Sequence, residues 1–222
     1  MEHLTRVASS WRLTTPEQRA TAWLHDIAED LSAMWIGKIE QELGTVIADA
    51  VEMLTYRSGS YLKYVETLAL DPIARSVKLA DILDNLTDDP TDRQVAKYAK
   101  ALRVLDIPFP RVVCAANRAP DGHVVLGIRH CDKFMREAHR LPTLYPHPGG
   151  GKLSAAGKVV TLAEAANLER SRRQAYARDQ GFVDQYGNFL SRTTAWKLAK
   201  HNNQIIRDTG DANGELYSEN LY

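Results

Sequence analysis

The sequence predicts an all-α domain over residues 1–106, followed by a smaller α+β domain with β-hairpins over residues 107–222. Two observations carry this. Every segment before Ile107-Pro108-Phe109-Pro110 has helical period, whereas the pattern after it alternates with the period of strands. Two turn signals, Pro120-Asp121-Gly122 and Tyr186-Gly187-Asn188, then sit between short apolar runs, as hairpins require.

Thr15-Pro16-Glu17-Gln18 is a capping-box start with proline at the first helical position. Ala20, Trp23, Leu24, Ile27 and Leu31 follow on one face. Leu43, Val46, Ile47, Ala50, Val51 and Leu54 predict a second amphipathic helix, and Tyr61–Leu70 a third. Asp71-Pro72 opens a fourth that contains Val77 to Leu86, and Thr91–Leu105 supplies a fifth. In the second half, Val112–Ala116 pairs with Val124–Arg129, Cys131–Arg140 reads as helix, and the Pro/Gly-rich stretch Leu141–Lys158 as a mobile loop. Thr161–Arg178 is a charged helix, Gly181–Leu190 a second hairpin, and Ser191 caps a helix ending near Asn202-Asn203. An irregular tail runs to Tyr222.

Lys+Arg and Asp+Glu both number 28, giving a formal net charge of zero. No global positive field exists, so stable nucleic-acid binding is not expected. Only two cysteines occur and no run approaches membrane-spanning length, which predicts a cytoplasmic protein without disulfides or a membrane partner. Composition leaves self-association into a homo-oligomer open.

Two segments carry candidate chemistry. His25, Asp26, Glu29 and Asp30 follow one another at i, i+1, i+4 and i+5, so a continuous helix directs them away from the Trp23/Leu24/Ile27 stripe. One imidazole with one carboxylate suits a hard-to-borderline divalent metal, although a solvated acidic face has the same appearance. In Val77-Lys78-Leu79-Ala80-Asp81-Ile82-Leu83-Asp84-Asn85, Asp81 and Asn85 share a face with Ala74 and Val77. A carboxylate among small apolar residues needs a partner if buried, either a metal or a structural donor.

Together the strings His25-Asp26-Ile27-Ala28-Glu29-Asp30 and Val77-Lys78-Leu79-Ala80-Asp81 through Asn85 resemble the HDxxED and VKLAD…N motifs of the HD superfamily of metal-dependent phosphohydrolases. The closer likeness is to its RelA/SpoT-like small alarmone hydrolase branch, over about residues 3–105. His3-Leu4-Thr5-Arg6-Val7 matches the upstream H-x-x-x-V of that branch. The resemblance implies an HD fold with metal ligands His3, His25, Asp26 and Asp81, and with Glu29 and Asp30 handling the attacking water. It implies Asn85 at the substrate. Arg57 and Lys78 are cations available for phosphates, with Lys63 and Arg75 beside them; each has a plain surface reading as well. Tyr56, Tyr61 and Tyr64 either stack a base or pack a helix interface. The expected cofactor is Mn²⁺ or another divalent ion and the expected partner a nucleotide substrate. The expected reaction is 3′-pyrophosphate release from a (p)ppGpp-type alarmone. Hydrolysis of another (deoxy)nucleotide is the nearest alternative, and a degenerate HD scaffold with a regulatory role is the alternative from another class. The alarmone hydrolases carry basic residues before the upstream histidine. The chain starts two residues before His3, so either the substrate is gripped differently or the second half replaces that wall, through Arg129 or His130.

Gly149-Gly150-Gly151-Lys152-Leu153-Ser154 fails as a phosphate loop, because Pro146 stands where glycine is needed and Leu153 follows the lysine. Cys114 and Cys131 lack metal-ligand spacing. The strings VVCAANRAPDGHVVLGIRHCD, QGFVDQYGNFLSR and ELYSENLY are similar to a module of uncharacterised bacteriophage proteins, which suggests a phage or prophage source.

Overall fold

A computed structural model of the chain describes residues 2–119, 122–130, 179–207 and 214–221, with short strands and single positions between 135 and 167. It divides into two units, Met1–Phe109 and Pro110–Tyr222. The first is the helical part and the second the α+β part that the sequence suggested.

The first unit is helical throughout: α1 (Glu2–Ala8), α2 (Pro16–Leu24), α3 (Ile27–Asp30), α4 (Met34–Leu43), α5 (Thr45–Leu54), α6 (Tyr61–Leu68), α7 (Pro72–Thr87) and α8 (Asp92–Val104). The caps are the ones the residues dictate. Thr15 and Thr91 form capping boxes with Gln18 and Gln94, and Asp71 accepts from the Ala74 N–H at 2.7 Å. Gly44, at φ +89°, separates α4 from α5, so the single helix expected around Leu43–Leu54 starts only at Thr45. The helix that begins at Pro16 stops at Leu24 instead of continuing through Leu31. His25 accounts for the stop: its Nδ1–H donates to the Ala22 carbonyl at 2.8 Å and competes for the acceptor that continuation would use.

Helix α7 is the axis of this unit. It buries Ala74, Val77, Leu79, Ala80, Asp81, Ile82, Leu83 and Leu86, and packs against α1, α2, α5 and α8. Val7, Ala8, Leu13, Ala22, Leu54 and Leu68 close one core around Ala74, Val77 and Ala80. A second cluster joins Ile39 of α4 to Ile47, Ala48 and Val51 of α5.

The second unit holds an antiparallel sheet in the order β2-β1-β6-β7, from β1 (Val112–Arg118), β2 (Val124–Gly127), β6 (Gln180–Asp184) and β7 (Phe189–Ser191). Both expected hairpins are present. The β6–β7 turn is closed by Asp184, whose Oδ1 accepts from the Tyr186 and Asn188 N–H groups at 2.9 Å, with Gly187 at φ +83°. Helix α9 (Arg192–His201), capped by Ser191, packs on β6, β7 and β1. Its Ala195, Leu198 and Ala199 meet a core that contains Phe182 and Leu190. The tail is not wholly irregular: Ser218–Asn220 forms a 3₁₀ turn with Leu216, Ser218 and Asn220 buried.

The stretch expected to be a loop at Leu141–Lys158 contains strands β3 (Leu144–Pro146) and β4 (Lys152–Ser154), which join β5 (Val159–Val160) in a three-stranded antiparallel sheet. The helices expected at Cys131–Arg140 and Thr161–Arg178 lie almost wholly outside the described residues, as do Cys131 and Gly149-Gly150-Gly151.

Candidate metal centre

Three elements of the first unit bring the site together: α1 supplies His3, the α2–α3 turn supplies His25 and Asp26, and α7 supplies Asp81. His3, His25 and Asp26 offer ligand atoms that all lie within 4.8 Å of one another. Asp81 Oδ1 stands 3.3 Å from His3 Nε2 and 3.8 Å from His25 Nε2, and Asp26 Oδ2 is 3.2 Å from His25 Nε2. Nitrogen and oxygen ligands about 2.0–2.2 Å from one ion stand about 3–4 Å apart, the spacing seen here.

The chemistry of the donors agrees with that spacing. His25 is 2% exposed, and its Nδ1 proton is committed to the Ala22 carbonyl, so Nε2 carries the lone pair. That Nε2 is buried without a hydrogen-bond partner, facing carboxylate oxygens. Lone pairs that converge in this way repel unless a proton or a cation lies among them. On His3, Nδ1 donates to Asp84 Oδ2 at 2.7 Å and Nε2 faces Asp81. Asp26 is the N-cap residue of α3, yet its side chain makes no cap hydrogen bond. The donor set fits a divalent cation.

Electrostatics show how tightly charge is packed. The hydrogen bond to Asp81 pushes His3 from 6.5 up to about 9; burial opposes this and Asp84 adds to it. Burial on its own would raise the Asp81 carboxyl, but Lys78, His3 and His25 reverse it and hold that carboxyl well below the usual range. Burial pushes the Asp26 carboxyl up; Asp81 adds to the rise, and His25 and Lys78 oppose it.

The other expected site residues fall into two groups. Lys78 Nζ pairs with Asp81 Oδ2 at 2.8 Å, and Asn85 Nδ2 donates to Asp81 Oδ1 at 2.6 Å. Both therefore act on a carboxylate of the site. Glu29 is exposed and its Oε1 accepts from the Tyr56 N–H at 2.5 Å; Asp30 is exposed and reaches the site through its charge on Asp26. Arg57 pairs with Glu52 at 3.2 Å, both well exposed, and Arg75 donates to the Leu105 carbonyl at the end of α8. The structure does not bring these two arginines to the ligand group. Tyr56, Tyr61 and Tyr64 pack on one another at ring distances of 5.2–5.9 Å, Tyr56 from the loop before α6 and the other two from α6 itself. In the second unit, His130 Nε2 donates to the Gly181 carbonyl at 2.7 Å and its ring meets Phe182 edge-on.

Sequence reasoning missed Asp84, Arg6 and Lys97. Arg6 donates from Nε and Nη2 to the two Asp84 oxygens at 2.7 and 2.9 Å, and from Nη2 to Asp88 at 2.9 Å. Lys97 on α8 lies over the Tyr61 ring at 4.3 Å, and its ammonium is lowered by burial and then by Lys78. The i, i+3 spacing of Asp81 and Asp84 on one helix was the available signal for Asp84.

A match to a known protein family falls in the second unit. Residues 154–222 match the family described as phage T4 y16D protein, a stretch that includes β6, β7, α9 and the 3₁₀ turn. The chain is thus similar to a phage protein over its C-terminal part, in line with the strings QGFVDQYGNFLSR and ELYSENLY. No curated protein matches the chain. No helix among the described residues is long and apolar enough to cross a membrane.

Proposed function

We propose that the first unit is an HD-type, divalent-metal phosphohydrolase acting on a nucleotide, with a (p)ppGpp-type alarmone as substrate and 3′-pyrophosphate as the group released. One observation carries the reading: the Nδ1–H groups of His3 and His25 are both committed elsewhere, so both Nε2 atoms face the Asp26 and Asp81 carboxylates. The motifs HDxxED and VKLAD…N give the class, and the alarmone follows from the likeness to the RelA/SpoT-like branch.

His3, His25, Asp26 and Asp81 would hold the ion, Mn²⁺ on that likeness. A bound divalent ion acidifies water and offsets phosphoryl charge. The chain's own residues do the rest. Lys78 and Asn85 fix Asp81 from two sides, which keeps its carboxylate ionised and oriented. Glu29 and Asp30, exposed on the turn that follows Asp26, would be the groups that take a water's proton. Lys97 adds a cation on the α8 side for a phosphate that does not react.

The scaffold reading has one observation in its favour: the Lys78–Asp81 pair gives Asp81 a structural partner. A single experiment separates the readings. The full chain, dialysed against Mn²⁺ and freed of excess, is analysed for metal and then incubated with (p)ppGpp and with a set of dNTPs. About one ion per chain and pyrophosphate from the alarmone are expected. Metal binding without turnover of any nucleotide favours the scaffold, turnover of a dNTP alone moves the substrate, and a chain that binds no divalent ion overturns the proposal.

A further inference from the structure

The contacts of His3 extend one residue beyond the ligand set. Its Nδ1 donates to Asp84 Oδ2 at 2.7 Å, while Nε2 faces Asp81 Oδ1 at 3.3 Å. An imidazole has one lone pair when neutral, and the nitrogen that bonds a carboxylate keeps the proton. Both nitrogens of His3 face a carboxylate, Nδ1 the nearer at 2.7 Å against 3.3 Å for Nε2, so in the neutral ring the proton stays on Nδ1 with Asp84 and Nε2 is left for a cation. Asp84 is in turn held: its side chain is 11% exposed, and both oxygens accept from Arg6, one turn after His3 on the same helix. Helix α1 has only seven residues and is too short to be stable alone. Val7 and Ala8 dock it in the core, and the ring of His3 meets that of His25 edge-on at 5.6 Å.

We infer that Asp84 is a positioning residue for metal binding, presenting His3 through Nε2, and that the Arg6–Asp84 pair is a separate anchor for α1. This rests on the metal-site reading above and deepens it. Two jobs meet on one carboxylate, so two variants pull them apart. Arg6→Gln removes the anchor but leaves the His3–Asp84 bond. Asp84→Ala removes both and frees His3 to turn or to change tautomer. A ligand that loses its orienting carboxylate typically costs roughly 10- to 100-fold in metal affinity.

The test is Mn²⁺ and Co²⁺ affinity of the full chain by calorimetry, with the visible spectrum of bound Co²⁺ as a second readout. Asp84→Ala should bind roughly 10- to 100-fold more weakly than the parent and show a changed Co²⁺ spectrum, whereas Arg6→Gln should stay within about threefold with the parent spectrum. The cycle with His3→Ala guards against a trivial loss of fold: in the His3→Ala chain, Asp84→Ala should cost no further affinity. If Asp84→Ala binds like the parent, or Arg6→Gln weakens binding as much as Asp84→Ala, the positioning role is overturned. Failure of the underlying reading looks different, because then the parent binds no ion, or Asp81→Ala binds as well as the parent.

Discussion

His25 donates its Nδ1–H to the carbonyl of Ala22, three residues before it, and this one bond at 2.8 Å both ends α2 and aims Nε2 at Asp26 and Asp81. A helix that continued past Leu24 would need the Ala22 carbonyl for its own ladder. The break lets His25 enter the core while Asp26, the next residue, stays half-exposed beside it. Glu29 and Asp30 then follow on the single turn of α3, at the rim and not in the ligand group.

That placement makes the two rim carboxylates separable from folding. Glu29→Gln keeps an oxygen that can accept from the Tyr56 N–H, and Asp30→Asn changes an exposed side chain. Thermal unfolding of both should stay within about 0.5 kcal/mol of the parent. Hydrolysis should fall on the order of 10²-fold in whichever variant removes the group that takes the water's proton. Unchanged turnover in both would move that role elsewhere.

Stripped of divalent ions, the chain should show a stability limb on the alkaline side. His3 is raised from 6.5 to about 9 in the folded state, so its contribution is complete below about 6.5 and is lost as pH rises through about 9. Asp81, lowered in the folded state, contributes above its unfolded value near 4 and loses this as pH falls. Denaturant midpoints of the chelated chain should therefore form a plateau between about pH 4 and 6.5 and decline towards 9. His3→Ala should flatten the alkaline decline. Metal binding, which must displace the Nε2 proton of His3, should instead strengthen over the same rise in pH.

Much of this was legible in the sequence, for reasons that differ by element. Helix α7 was clear because Asp71-Pro72 caps it and Ala74, Val77 and Asp81 recur on one face. His25 was found, but on the wrong face: Trp23, assigned to the apolar stripe, is 46% exposed, whereas His25 is 2% exposed. The phase failed because the helix ends at Leu24, and a ring whose polar atom bonds a local carbonyl packs as core. His3 was found by resemblance alone, since seven residues of α1 carry too little period. Arg6 and Asp84 lie 78 residues apart, and no local pattern records such a pair. Strands β3 to β5 were hidden by Pro and Gly composition, because strand pairing is a long-range match that composition does not report.

Gly181 tests the second unit. A Cβ there would lie 2.1 Å from the Leu190 carbonyl oxygen and 2.6 Å from Phe189 Cζ, across the β6–β7 pair. The first of these atoms is backbone and cannot swing aside. Gly181→Ala should therefore destabilise by about 2–4 kcal/mol, read as a lower thermal midpoint for the unfolding of residues 110–222. An unshifted midpoint would mean that β6 and β7 do not pair in the register Gly181↔Ser191.

The Lys78–Asp81 pair gives the sharpest distinction between a structural carboxylate and a ligand. Both side chains are largely buried, Lys78 14% and Asp81 7% exposed, and the Lys78 ammonium is raised because Asp81 outweighs the effect of burial. Removing one partner of such a pair leaves a buried charge without compensation, at a cost of about 3–5 kcal/mol. Lys78→Met keeps the length and packing of the stem but removes the ammonium, so the chelated variant should lose stability on that scale. A divalent ion beside Asp81 would supply the missing positive charge. Mn²⁺ should then raise the unfolding midpoint of Lys78→Met by more than it raises that of the parent, where Lys78 already offsets part of the carboxylate charge. Equal shifts would mean that the ion does not sit against Asp81. No shift in either chain would leave Asp81 as the structural partner of Lys78 alone.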